Sequence, residues 1–85
     1  MERTTLHIVC GDSRSRAEQA RVVFVLGHHA EVYADLAELL ERPTTEGIVI
    51  ATDDGRPGLA QDLIRRLGEA GMWLPVVLAA PAPQT

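Results

Sequence analysis

Lysine is absent from this chain, and all eight of its basic residues are arginines. A phosphate-binding loop of the G-x-x-x-x-G-K type is therefore excluded, because its lysine has no candidate. The arginines are scattered, with Arg65-Arg66 the only adjacent pair, and the net charge is −4. No basic stripe exists of the sort that tracks a nucleic-acid backbone. Cysteine occurs once, at Cys10, so no internal disulfide can form. Tryptophan, tyrosine and phenylalanine occur once each. No apolar run approaches the length of a membrane span. Met1-Glu2-Arg3-Thr4-Thr5 lacks the long apolar region of a secretory signal. A cytoplasmic protein is the expectation.

What the chain does contain is a hydrophobic share of 46 % in 85 residues. That suits one small globular domain with a thin core. Short apolar runs alternate with helical patterns. Leu6–Cys10 is β-branched, brief and closed by Gly11-Asp12-Ser13, which reads as a buried strand. Ser15 and Glu18 have the spacing of a capping box. A helix from Ser15 to Leu26, stopped by Gly27, would turn Ala17, Ala20, Val23 and Phe24 inward. The run Val22–Val25 is also strand-like, so both readings of 15–26 remain open. His28-His29 forms a connection, and Ala30–Tyr33 is a second strand. Asp35 with Glu38 caps a short helix carrying Leu36, Leu39 and Leu40 on one face, ended by Pro43.

Gly47–Thr52 reads as a third strand. Pro57 suits a first helical turn. Leu59, Ala60, Leu63, Ile64 and Leu67 then recur at helical spacing, with Gly68 as the stop. Leu74–Ala80 is a fourth strand, and Pro81–Thr85 is a Pro/Ala-rich coil. The order βαβαβαβ implies an α/β fold with a parallel sheet of about four strands and right-handed crossovers. The domain is placed at 1–80 and the tail at 81–85.

These residues carry a resemblance. Leu6-His7-Ile8-Val9 before an acidic turn, the stretch from Gly47 to Ala80, and the proline-led Leu74-Pro75-Val76-Val77 resemble response-regulator receiver domains of the nitrogen-fixation and LuxR-associated type. The resemblance covers nearly the whole chain by pattern and spacing. It implies a flavodoxin-like fold lacking the last helix-strand-helix of a receiver. It places the phosphoacceptor position at Thr52. The acidic pair that holds magnesium in the family falls on Cys10 and Gly11, with Asp12 one place later. The phosphoryl-sensing hydroxyl falls on Ala80, and the family's lysine has no counterpart. The family's functional residues are thus substituted or absent. Phosphoryl transfer needs a carboxylate nucleophile, a metal and an opposing cation, and Thr52 is a weak nucleophile without a base.

The resemblance therefore implies a degenerate, non-phosphorylatable receiver-like module. Such a module is not an enzyme, has no cofactor, and modulates a histidine kinase or a transcription regulator by protein contact. The alternative is an active phosphoacceptor that uses Asp53 or Asp54 with Mg²⁺ held near Asp12, since magnesium prefers oxygen ligands. The bland reading of Asp12, Asp53 and Asp54 is that they form turns and a helix cap. A third reading makes the Gly11–Ser15 turn an anion or nucleotide site. His7, His28 and His29 lack zinc-site spacing and read as ordinary surface or interface histidines.

Because the sheet is expected to end at its fourth strand, Trp73, Val76, Val77 and Leu78 are the interface candidates. An uncharged edge of this kind tends to pair with another chain, and a homodimer through the fourth-strand edge is the expected assembly. Trp73 reads either as a cover for the core edge or as a contact residue.

Overall fold

The computed structural model describes residues 4–80. The expected tail at 81–85 lies outside the described residues. Seven elements follow in order: β1 (Thr5–Val9), α1 (Ser13–Val25), β2 (His29–Tyr33), α2 (Leu36–Leu40), β3 (Ile48–Thr52), α3 (Leu59–Glu69) and β4 (Val76–Ala79). The sheet is four-stranded, in the order β2-β1-β3-β4, with every pairing parallel. The fold is α/β and flavodoxin-like, as the alternation of strand and helix patterns predicts.

The sheet separates two apolar clusters. On one face α2 and α3 bring Leu36, Leu39, Leu59, Leu63 and Leu67 against Tyr33, Val49 and Ala51. On the other face α1 lays Val23 and Ala20 over Leu6, Ile8, Cys10 and Ala30. The two faces follow from strand alternation, which sends Ile8 to one side and His7 and Val9 to the other.

Residues 15–25 belong to a helix with Leu26 as its C-cap, but its start differs from the expectation. The N-cap is Asp12, whose carboxylate accepts from the Ser15 N–H, and the ladder opens with Arg16 N–H donating to the Asp12 carbonyl. Ser15 is thus three residues inside the cap, and the Ser15–Glu18 pair is not a capping box. A carboxylate three places upstream of a free N–H supplies the same bond first. Gly27 does close the helix, with φ at 87°. The inner face is narrower than predicted. Val23 is buried, whereas Ala17 is exposed and Phe24 keeps 78 % of its surface in solvent. Phe24 is one residue on from Val23, and 100° of helical rotation carries it off the sheet.

α2 is capped as expected. Asp35 accepts from Glu38 N–H at 3.0 Å while the Glu38 carboxylate takes the Ala34 N–H at 2.7 Å. β2 begins one residue earlier than predicted, at His29. α3 begins at Leu59 rather than at Pro57, behind a left-handed Gly58 that offers no side-chain cap. Gly68 is a helical residue, not the stop. The chain turns instead at Gly71, where φ is 78°. Ile64 is 45 % exposed, beside the buried Leu63 and Leu67. β4 is shorter than its apolar run, because Leu74 is buried in the cluster with α2 and α3 and Pro75 carries no N–H for the ladder.

No helix of the described residues is long and apolar enough to cross a membrane.

Candidate functional site

β1 runs into α1 on one face of the sheet, and β3 runs into α3 on the other. Their connections therefore diverge beyond the carboxyl ends of two neighbouring strands. Open α/β sheets form their ligand crevice at such a point. Here that point holds a cleft of about 850 Å³, whose walls carry Arg14, Arg56 and Arg66 against Asp12, Asp35 and Asp54. Thr52, at the end of β3, borders the cleft.

The carboxylates are already engaged in local structure. Asp12 Oδ2 accepts from the Ser15 hydroxyl at 2.7 Å and from its N–H at 3.2 Å. These bonds, the hydroxyl's first, hold the Asp12 carboxyl below its usual 3.8. Asp54 accepts from the Arg56 N–H at 3.0 Å and from its Nε at 2.8 Å. The backbone bond leads in lowering the Asp54 carboxyl, and the guanidinium adds to it. Asp53 Oδ1 accepts from the Gly55 N–H at 2.9 Å, closing the turn after β3.

The three expected acids are thus distributed. Asp12 and Asp54 share the main cleft, while Asp53 lines a smaller neighbouring pocket with Thr52, Asp54 and Gly55. Asp12, Glu18, Asp35 and Asp54 are the carboxylates that line the cleft. Among the described residues no group of three His, Cys, Asp or Glu side chains is arranged to hold a metal ion.

Thr52 pairs with Ala79 across β3 and β4. Its Oγ1 is buried and has no hydrogen-bond partner. Cys10 is buried, and its carbonyl accepts from Arg16 Nη1 at 2.9 Å.

Among the histidines, His7 corrects the expectation of a surface or interface residue. It is 4 % exposed, with Nε2 at 2.8 Å from the Glu46 carbonyl and Nδ1 at 3.5 Å from the Tyr33 hydroxyl. A polar ring is tolerated there because its nitrogens are partnered. His29 pairs with Glu31 at 2.7 Å on the surface of β2. The Nδ1 of the half-buried His28 has no partner.

Of the interface candidates, Val77 is 51 % exposed and Trp73 is 79 % exposed, while Val76 and Leu78 are half-buried against the α2–α3 side. Sequence reasoning took in Arg14 as part of the Gly11–Ser15 turn and missed Arg56 and Arg66, which also line the cleft. Arg66 comes from the far end of a helix pattern, where no local signal points to the crevice.

No family model, curated protein or solved structure matches this chain.

Proposed function

We propose that this protein is a receiver-like signalling module that carries no phosphoryl group and acts by contact with other proteins. Its setting is the cytoplasm, and its partner is a histidine kinase or a transcription regulator. The observation that carries this reading is at Thr52. The third strand ends in a hydroxyl that is buried and unpartnered, at the position where the resemblance puts an accepting aspartate. Two nearby features support it. Asp53 and Asp54 spend hydrogen-bonding capacity on their own turn, and the cleft offers arginines but no lysine. Without a nucleophile, a module on this sheet can still present surfaces that a kinase or regulator reads.

The test is intact-mass measurement after incubation with Mg²⁺ and acetyl phosphate. An unchanged mass is expected. A phosphoryl-sized gain that needs Mg²⁺ and disappears in Asp54→Asn would overturn the reading in favour of an active phosphoacceptor.

A further inference from the structure

Among the described residues β4 is the terminal strand of the sheet, paired on one side only, with β3. Two bonds fix which of its main-chain groups face that neighbour. Val49 N–H donates to the Pro75 carbonyl at 2.9 Å, and Asp53 N–H donates to the Ala79 carbonyl at 2.8 Å. Strand alternation turns Val77 the same way and leaves the N–H and C=O groups of Val76 and Leu78 directed outward. The edge is therefore a short template of two donors and two acceptors.

The opposite edge, β2, is protected. It carries Glu31 and His29, which pair across its surface at 2.7 Å. Charged side chains on an edge discourage strand addition. No charged residue occurs from Met72 through Ala80, so the chain's net −4 is carried elsewhere. Two copies can meet along β4 without opposing like charges.

We infer that β4 pairs antiparallel with β4 of a second copy, the two-fold axis passing beside Val77. In this register Val76 of one copy opposes Leu78 of the other, and the reverse. Each of these two pairs exchanges both of its main-chain bonds, so all four outward groups on each strand are satisfied. Val77 faces Val77 as the non-hydrogen-bonded pair, at a Cα separation of about 4.5 Å. Its side chain lies on the α1 face of the sheet, in one row with Ile50 and Ile8. That face is covered by α1 over β1 and β2, and Val77 is left half in solvent. The contact joins the two rows of apolar side chains and makes a continuous eight-stranded sheet. The two-fold relation closes the assembly at two copies, because the remaining edges are the charged β2 strands.

This inference deepens the proposed function by naming one partner and its register. Sedimentation equilibrium on the whole chain tests it, with Val77→Lys and Val77→Cys as variants. The expected result is twice the protomer mass of 9.2 kDa for the natural sequence and a folded monomer for Val77→Lys. Under mild oxidation Val77→Cys should form an intermolecular disulfide, since the pair separation falls within the roughly 4.4–6.8 Å that a disulfide spans. Val22→Cys, 58 % exposed on α1, should stay uncrosslinked. A natural sequence that remains monomeric at every concentration overturns the inference, as does a dimer that survives Val77→Lys. Phosphoryl uptake is scored separately. A monomer that takes no phosphoryl group defeats the dimer alone, and a phosphorylated dimer defeats only the proposed function.

Discussion

The indole of Trp73 occupies the space where a side chain at Gly68 would project: a Cβ built on Gly68 would lie 2.7 Å from the ring's Cζ3 and 2.8 Å from its Cη2. This explains a glycine inside α3, where the lack of a side chain costs about 1 kcal/mol against alanine. It also gives Trp73 a seat although the ring is 79 % exposed. Gly68→Ala should gain helix propensity and displace the ring, which is free to swing into solvent. The expected stability change is within about 1 kcal/mol, since the two effects oppose. The indole emission should shift to the red. Trp73 is the only tryptophan, so fluorescence reads this contact alone.

Gly47 is the less forgiving glycine. Its φ is 108°, and an added Cβ would collide with the Thr5 carbonyl and lie 2.8 Å from His7 Nε2. Backbone cannot yield as Trp73 can. Gly47→Ala should cost about 2–4 kcal/mol, combining strain at positive φ with the displaced neighbours. A urea titration would show it as a lower midpoint, and an unchanged midpoint would mean that β3 does not enter the sheet as described.

Tyr33 is the chain's only tyrosine, which makes its ionisation directly observable. Burial, with the Glu31 charge second, raises its phenol above the usual 10.0. The folded state therefore keeps the proton when the unfolded chain has begun to lose it. By linkage, Tyr33 favours the folded state fully below pH 10 and this contribution is lost as the pH climbs through the raised value. Absorbance of the phenolate should appear at higher pH in the native protein than in urea. Coincident titrations would contradict the buried setting of this ring.

The buried ring of His7 predicts a different loss. His7→Ala would remove the partner of the Glu46 carbonyl and leave a cavity beneath Tyr33, costing about 3 kcal/mol. Tyr33→Phe should cost much less, because the His7–Tyr33 bond is long at 3.5 Å. Thermal denaturation of the two variants would check the order.

These residues also mark where the sequence was legible. Strands and helices were readable because Leu59, Leu63 and Leu67 recur at one period and Ile8, Val49 and Ala51 sit in brief β-branched runs. The parallel order follows from their alternation. His7 was not readable, since its partners at Tyr33 and Glu46 are 26 and 39 residues away and only the assembled sheet brings them together. Phe24 was misplaced because its apolar character counted for more than its helical angle. Thr52 and Asp54 were legible as residues at the end of the third strand, which border the cleft, while the contribution of Arg66 to the cleft depends on how α3 crosses the sheet.

The start of α1 supplies the remaining prediction. Asp12 satisfies Ser15 N–H and its hydroxyl together, so Asp12→Ala should lower the urea midpoint at neutral pH, and Asp12→Asn should restore most of it, since asparagine caps nearly as well. The carboxylate is the better acceptor only while ionised. Its folded-state value lies below 3.8, so its contribution is fully present above the unfolded value and is lost as the pH falls through the lowered one. The advantage of the natural sequence over Asp12→Ala should accordingly be constant from neutrality to about pH 5 and shrink below pH 4. The same measurement at high salt separates cap from charge, because a hydrogen bond at contact persists where longer-range attraction to the helix end is screened.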